Sequence, residues 1–385
     1  SLSFSIMGAT TRGTGTMLVV GMAMLLPWNS FLNVLGLLSP AFAASKWSST
    51  FAGAFSTTFL VFNFIVLAVE TVKERYGYVL GDATFGTLLG ASLTASVTFC
   101  LGFVVAAFYD KTATLYYLII FCMFALGCFT AWLQGSAFRY AAAKDDSGKL
   151  TQAIMAGQAV AGVGSSLVMF VLVSGAFQPA RTTLIYLIIT ACFVGSSVAI
   201  FAYSNRSTSR YGQVIQEDTP VETPRVEQLE PVQTSIADAT APEPFEIDQI
   251  SLDMHTQDQE NTIKAHASFR NGVYCAVSVF LCFTCSLGIF PGLTIHLLPK
   301  HFSANYFQPM LVFAFNVGDL LGRLLKPSRC VQNPFLQCIY GMSRFLIFPV
   351  ILTCGMDDAS KMPRFFVGDG WPILWIFLLG ITNGH

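Results

Sequence analysis

Charged side chains are scarce in this sequence. Asp, Glu, Lys and Arg make up 11% of its 385 residues, whereas soluble globular domains carry about 25%. Hydrophobic residues make up 54%, and Phe alone occurs 35 times. Because so apolar a surface cannot be kept in water, the composition predicts an integral membrane protein. The formal net charge of −1 gives no support to a nucleic-acid polymer as a partner, since such partners demand basic surfaces.

Patterns of catalytic or metal-binding residues are also missing. The five histidines show no metal-ligand spacing, and neither a Walker A motif nor a nucleophile elbow stands out. Cys282 and Cys285 are spaced C-x-x-C within an apolar run, where packing is favoured over redox or zinc chemistry. We therefore expect a protein that is not an enzyme and that holds no metal and no cofactor.

Long hydrophobic runs, in contrast, recur along the whole chain. A helix that crosses a bilayer needs about 20 mostly apolar residues. A window of that length predicts ten spans, the last one incomplete: 15–38, 53–72, 83–108, 114–138, 152–177, 183–203, 272–297, 307–325, 335–355 and 371–385. The sequence begins with Ser1 and stops inside the last run, so we expect it to be a fragment of a longer protein.

One long segment, 204–270, interrupts this pattern. Between residues 204 and 268 it carries twelve acidic and four basic residues, and it cannot bury enough apolar surface to offset its ordering entropy. We predict a six-helix bundle over 1–203, a disordered acidic loop over 204–270 and a truncated helical bundle over 271–385. Lys and Arg in the short connections favour a cytoplasmic N-terminus and loop only slightly, by seven to six.

Ionisable residues inside a span are costly and by default mark function. Asp319 and Arg323 are four residues apart and therefore share one face of a helix, where opposite charges lower each other's cost of burial. They are either a substrate-binding pair or an ion pair that only fixes helix packing. Gly322, with Gly318, lets another helix approach closely. Arg344 is a third such charge, which either pairs with an acid on another helix or faces a cavity opening.

Two further side chains within spans are suited to binding a flat polar solute. Gln134 offers two donors and an acceptor to the edge of a base, although an interhelical hydrogen bond explains it equally well. Trp28 offers a flat apolar platform for an aromatic ring, and its alternative is an anchor at the membrane interface. Gly157, Gln158 and Gly162 lie on a small-residue helix face that favours close packing.

Taken together, these motifs resemble the equilibrative nucleoside transporter family. The matching pieces follow one another in the family's order and cover the chain apart from the loop: Pro27-Trp28-Asn29, Gln134-Gly135-Ser136, Gly157-Gln158, Ala161-Gly162, Phe290-Pro291, Phe315-Asn316, Asp319, Gly322-Arg323 and Thr382-Asn383-Gly384. Each motif alone is modest, and their shared order carries the resemblance.

The resemblance implies an all-α polytopic membrane protein with a major-facilitator-like fold. Eleven spans would be expected, about ten of them present here, in two helical halves that rock about one central site. The N-terminus and the large loop would lie in the cytoplasm.

The resemblance also implies roles for the matched residues. Asp319 would accept hydrogen bonds from ribose hydroxyls, and Arg323 would donate to the sugar or the base. Gln134 would meet the base edge, and Trp28 would pack near the substrate. The other matched positions are expected to serve helix packing: Asn29, Gly135, Gly157, Gln158, Gly162, Pro291, Asn316 and Gly322.

We therefore expect a facilitative or proton-linked carrier of nucleosides, with nucleobases as further candidate substrates. The alternatives are a major-facilitator carrier of another small polar solute, and a membrane receptor or scaffold whose acidic loop binds a cytosolic partner. The expected partners are the nucleoside and the lipid bilayer, with no nucleic-acid polymer, and the chain is expected to be a monomer. We expect the plasma membrane as its location, with a vacuolar or lysosomal membrane as the alternative.

Overall fold

The structure is a computed structural model that describes the chain in segments. The described residues are 2–76, 82–145, 147–175, 177–217, 273–274, 277–278, 281–282, 284–286, 288–294, 297, 299–325, 333–354 and 368–384. Six long helices come first: α1 Leu2–Phe42, α2 Phe51–Arg75, α3 Ala83–Phe108, α4 Thr112–Lys144, α5 Lys149–Ser174 and α6 Pro179–Glu217.

The second part of the chain is also mainly helical where it is described. The described residues between 273 and 286 are helical, and a π-helical segment, Gly288–Leu293, follows. Four α-helices come next: α7 Ala304–Leu324, α8 Pro334–Ser343, α9 Ile347–Leu352 and α10 Gly370–Gly384. A 3-10 turn joins α8 directly to α9.

Seven helices in the described part of the chain are long and apolar enough to cross a membrane: Gly13–Phe42, Phe51–Lys73, Ala83–Phe108, Thr112–Lys144, Lys149–Ser174, Pro179–Arg206 and Phe335–Leu352. The same part of the chain contains no β-strand. The predicted class of an all-α, multi-pass membrane protein is confirmed.

Two further helices, α7 and α10, also occupy predicted spans, although they are not among these seven. α10 has 15 residues, and α7 carries Asn316, Asp319 and Arg323 among its 21 residues, which lowers its mean hydropathy. Asn316 and Asp319 are both buried. The fold therefore shelters a polar face of α7 from lipid.

The sixth helix is longer than the sequence predicts. α6 runs to Glu217, past residue 203, where the polar loop is predicted to begin. A helix needs no apolar side chains to keep its backbone hydrogen bonds, and no proline occurs in this stretch before Pro220, so the helix outlasts the apolar run. The rest of the predicted disordered loop, 218–270, lies outside the described residues.

Helix packing divides the described chain into two groups. Within the first, α1 packs on α5 and α6, α3 packs on α4 and α6, and α2 packs on α4. In the second, α7 packs closely on α10. Contacts of α7 with α5 and with α1 join the groups. α7 therefore makes most of the contacts between the two groups, and the Gly288–Leu293 segment adds a smaller contact with α2.

Glycines allow the closest of these helix contacts. A Cβ at Gly157 of α5 would collide with the carbonyl oxygen of Leu18 on α1. Between α7 and α10, a Cβ at Gly318 would strike the backbone of Phe377, and one at Gly380 or Gly384 would strike the backbone of α7. In lipid no hydrophobic driving force holds helices together, so close backbone packing of this kind stabilises their contact instead.

A buried polar network ties three helices of the first group together. The Asn33 side chain donates from Nδ2 to the carbonyl oxygen of Asn29 (3.0 Å) and to Tyr186 Oη (3.1 Å). Tyr186 in turn donates to the carbonyl oxygen of Ser165 at 2.8 Å, and Asn33 and Tyr186 are buried. Because these groups satisfy one another across α1, α5 and α6, we assign the network to structure.

Candidate functional site

The Asp319–Arg323 pair forms within the last two turns of α7. Arg323 Nε donates to Asp319 Oδ2 at 2.9 Å. The Asp319 side chain is 7% exposed and the Arg323 side chain 22%. The carboxylate is therefore buried, and the guanidinium is partly exposed. Such a pair is charge-balanced, which suits a polar but uncharged ligand better than a nucleotide.

The second carboxylate oxygen of Asp319 is held by another helix. Asn383 of α10 donates from Nδ2 to Asp319 Oδ1 at 2.7 Å. The close packing at Gly380 and Gly384 brings this amide within reach, because a Cβ at Gly384 would collide with the backbone of Asp319 itself. The carboxylate is thus fixed by one donor on each oxygen.

Arg344, in the 3-10 turn after α8, lies on the far side of Asn383. It is 2% exposed. Its Nη2 donates to Ser286 Oγ (2.7 Å), Asn383 Oδ1 (3.3 Å) and the carbonyl oxygen of Leu379 (3.4 Å). Its Nη1 contacts the sulfur of Cys282. Within the described ranges no carboxylate lies at ion-pair distance from Arg344, and the Asn383 amide connects it to Asp319.

The same face of α7 meets the first group of helices at α5. Arg323 Nη1 donates to the carbonyl oxygen of Met155 at 3.4 Å. The Asn316 side chain fills the space over Gly162, where an added Cβ would collide with it, and its Nδ2 caps the carbonyl oxygen of Val312 at 2.9 Å. The site therefore lies at the contact between the two groups of helices.

The other predicted substrate-binding residues, Trp28 and Gln134, lie apart from this pair. Trp28 is buried and stacks on Phe59 of α2, with ring centroids 4.3 Å apart and planes 11° apart. Gln134 is half-buried and makes no side-chain hydrogen bond to the residues that the structure describes. Neither is hydrogen-bonded to Asp319 or Arg323 there.

The predicted packing positions have varied surroundings. Gln158 Nε2 lies 3.5 Å from the sulfur of Met24, and Gly135 has only the Cβ of Glu70 nearby, at 4.0 Å from where its own Cβ would be. Gly322 is buried at the end of α7.

The helix before α7 is broken at Phe290, directly in front of Pro291. The backbone of Phe290 is extended, with φ −125° and ψ 112°, as expected for a residue that precedes proline. The Phe290 ring stacks on Phe315 of α7, with centroids 5.1 Å apart and planes 11° apart. On α7, the Asp319 carboxylate therefore follows the aromatic contact of Phe315 by four residues, about one helical turn.

Comparison with known proteins decides the family. The family model described as "Nucleoside transporter" matches residues 118–385. The chain belongs to that family. Equilibrative nucleoside transporter 2 of Rattus norvegicus is 25% identical over 403 residues, which cover 95% of this chain and 86% of that protein. Equilibrative nucleotide transporter 3 of Arabidopsis thaliana is 34% identical over 113 residues, 29% of this chain and 25% of that protein.

Among solved structures, that of the nucleoside transporter NupG is similar to this chain with a TM-score of 0.46 and 13% sequence identity, covering 97% of this chain and 79% of that one. The resemblance to the equilibrative nucleoside transporter family that the motifs predict is confirmed.

Two residues of this nucleoside transporter family member were not predicted as part of the site. In the sequence, Asn383 is part of a matched motif, and Arg344 is a charge within a span without an identified partner. Asn383 is 64 residues from Asp319 in sequence and Arg344 is 39 residues from Asn383, and no local pattern reveals contacts over such separations. The available signal was the cost of an arginine within a span, which predicts a polar partner without naming it.

Proposed function

We propose that this chain carries nucleosides across a membrane by alternating access, with Asp319 and Arg323 as the part of the site that binds the sugar. The observation that supports this most strongly is the buried, charge-balanced pair at the contact between the two groups of helices. The name of the Rattus norvegicus relative, which specifies nucleoside transport, points to the same class of solute.

The chemistry of a nucleoside suits this pair. Its ribose carries two adjacent hydroxyl donors and no charge. A carboxylate has about four acceptor positions on its two oxygens, of which Arg323 and Asn383 occupy one on each oxygen. Among the residues that the structure describes, one acceptor position on each oxygen of Asp319 therefore remains for the two hydroxyl groups. A hydrogen bond to a charged group contributes about 1.5–3 kcal/mol.

The contact between α5 and α7 supplies a surface on which two halves could rock. The two helices run antiparallel, because Met155, Gly162 and Phe170 of α5 meet residues of α7 in reverse order. We propose that α1–α6 form one half and the helices from α7 onward form most of the other, in the major-facilitator manner that the motifs predict. Trp28 and Gln134 would then contact the base from the first half.

We extend the proposal to the transport mode and the location. The carrier is facilitative or proton-linked, works as a monomer and accepts nucleobases as further substrates. It resides in the plasma membrane, and a vacuolar or lysosomal membrane is the alternative.

Uptake of labelled adenosine and uridine tests the proposed function. The complete reading frame is expressed in cells that lack nucleoside carriers, and uptake is measured at neutral and acidic pH. We expect saturable uptake that Asp319→Ala abolishes at equal surface expression. Asp110→Ala, which removes an exposed acid outside the spans, is the matched control and should leave uptake unchanged.

The outcomes separate the alternatives. Uptake of a different polar solute, with no competition by nucleosides, would move the assignment to another carrier. A surface-exposed protein without flux at either pH would favour a receptor or scaffold. Stimulation by an inward proton gradient would identify the proton-linked mode.

A further inference from the structure

The Asn383 amide stands between two opposite charges in this structure. Its Nδ2 donates to Asp319 Oδ1 at 2.7 Å, and its Oδ1 accepts from Ser286 Oγ at 2.9 Å and from Arg344 Nη2 at 3.3 Å. An amide can face its surroundings in two ways, because its oxygen and its nitrogen are nearly equal in shape. What fixes the orientation is therefore the set of groups around it.

Arg344 is one of the groups that fix the orientation of the Asn383 amide. A guanidinium has only donors and no acceptor, so it tolerates the amide oxygen but repels the amide NH2. The opposite orientation would also turn the amide oxygen toward the carboxylate of Asp319, which accepts only. Both mismatches vanish in the observed orientation, so Arg344 and the carboxylate of Asp319 together fix Asn383 with its donor toward Asp319.

The burial of Arg344 requires nearby groups that offset its lost hydration. It is 2% exposed, and no acid in the described part of the chain pairs with it directly. A buried, unpaired arginine is costly unless hydrogen bonds or a nearby opposite charge offset the lost hydration. Asp319 lies one amide away, between Arg323 on α7 and Arg344 beyond α8. The Arg323 guanidinium thus contacts the carboxylate directly, and the Arg344 guanidinium is connected to it through the amide.

We infer that Arg344 is a positioning residue for the substrate site, and that it sets the selectivity for sugar hydroxyls by orienting Asn383 against Asp319. This inference rests on the proposed function. With Asn383 on one oxygen and Arg323 on the other, the carboxylate cannot rotate, and its two remaining acceptor positions face a fixed direction. Two adjacent hydroxyl groups match that arrangement, whereas a sugar without them gains nothing from it.

The test compares two substrates that differ only in these hydroxyl groups. Transport efficiency, Vmax/KM, is measured for uridine and for 2′,3′-dideoxyuridine, and the ratio of the two efficiencies is the readout. This ratio does not depend on how much protein reaches the surface. The variants are Asn383→Ala, Arg344→Gln, Arg344→Lys and the double variant Asn383→Ala/Arg344→Gln, all in the complete reading frame.

We expect Asn383→Ala to lower the ratio by about tenfold or more. This is the effect of losing one hydrogen bond between a sugar hydroxyl and the charged carboxylate of Asp319. Arg344→Gln should lower it by a similar factor, and Arg344→Lys, which keeps the charge but not the planar fork, by less. The double variant should equal Asn383→Ala, because Arg344 acts through the amide. Asn33→Ala, which disrupts the polar network of α1, is the control: it should reduce the amount of folded protein and leave the ratio unchanged.

An unchanged ratio in Asn383→Ala would overturn the inference, as would independent, multiplicative effects of the two substitutions. Should Arg344→Gln not reach the surface, Arg344→Lys and Asn383→Ala decide the question by the same ratio. A wild-type protein that takes up no uridine would overturn the proposed function and this inference with it. If the wild type transports uridine and the variants keep the wild-type ratio of transport efficiencies, the inference alone is overturned.

Discussion

Arg323 holds Asp319 with its Nε at 2.9 Å and, with its Nη1, the carbonyl oxygen of Met155 on the opposing helix α5 at 3.4 Å. One guanidinium therefore belongs both to the proposed sugar-binding pair and to the contact between the two groups of helices. A ligand that draws Arg323 toward itself would weaken its bond to Met155. If the pair binds the sugar as proposed, binding and opening of this contact would be linked through the Arg323 side chain.

The first prediction concerns the other end of the α5–α7 contact. Phe170 and Phe313 meet there edge to face, with ring centroids 5.7 Å apart. If the halves rock, joining them at this point should stop transport. We expect the double variant Phe170→Cys/Phe313→Cys to lose uridine uptake after treatment with a short bifunctional thiol reagent. Each single cysteine variant, treated in the same way, is the control, and equal inhibition of the singles would remove support for the rocking interpretation.

The second prediction uses two glycines of α5 that differ in their surroundings. Gly162→Ala would drive a Cβ into the Asn316 side chain, whereas the space around Gly164 is open. Overpacking of this kind costs about 1–3 kcal/mol. We expect Gly162→Ala to lower the thermal stability of the detergent-solubilised protein and to reduce uptake, and Gly164→Ala to do neither.

The same contact allows a rescue. Shortening the opposing side chain in Gly162→Ala/Asn316→Ala should recover part of the lost stability, because the collision is with Asn316 itself. If the double variant is less stable than both singles, the collision is not the cause.

The third prediction concerns the ion pair between α2 and α4. Arg139 Nη2 lies 3.2 Å from Glu70 Oε2, and Lys73 Nζ lies 3.8 Å from Glu70 Oε1. Arg139→Gln leaves Glu70 with Lys73, but Glu70→Gln leaves Arg139 with only Ser136 Oγ, at 3.4 Å, among the described residues. Because an uncompensated, largely buried charge is destabilising, Glu70→Gln should lower the melting temperature more than Arg139→Gln does.

An equal fall in melting temperature in the two single variants would show that the pair behaves as a solvent-exposed one. Such surface pairs contribute about 0.2–1 kcal/mol. The double variant Glu70→Gln/Arg139→Gln should fall between the wild type and Glu70→Gln, since it removes the stranded charge.

The fourth prediction is a pH dependence at Asp369, just before α10. Its carboxylate accepts hydrogen bonds from three consecutive backbone N–H groups: Lys300 (2.6 Å), His301 (2.6 Å) and Phe302 (2.8 Å). Burial alone raises the pKa of Asp369, but these donors and the nearby His301 outweigh it and hold the pKa below its usual value. The carboxylate therefore stabilises the folded state above its unfolded pKa of about 3.9, and that contribution is lost as the pH falls through the lower folded pKa.

Melting curves in detergent between neutral pH and about pH 3 check this. We expect Asp369→Asn to melt at a lower temperature than the wild type at neutral pH, and the difference to shrink at the acid end. Asp110→Asn, the exposed control, should follow the wild type throughout. A difference that stays constant across the range would assign the effect of Asp369 to shape and not to charge.

Local patterns predicted the helices and the pairing within α7, since apolar runs and the four-residue spacing of Asp319 and Arg323 are properties of neighbouring residues. The boundary of α6 was less accessible, because composition reports where apolar residues end and not where backbone hydrogen bonds end. Asn383 and Arg344 could not be joined to Asp319 from sequence, because their contacts arise only when three helices pack. The spacing of Gly318 and Gly322 indicated close packing without naming the partner helix.

At Gly318, Gly380 and Gly384 the backbones of α7 and α10 pack directly against one another. Two helices in such contact cannot slide or separate by small amounts without breaking it, so they should move as one rigid body. The Asp319–Asn383 hydrogen bond would then have the same length in every state of the transport cycle. The sugar end of the ligand would keep its geometry throughout, and only the contacts made by the first six helices would be exchanged between one side of the membrane and the other.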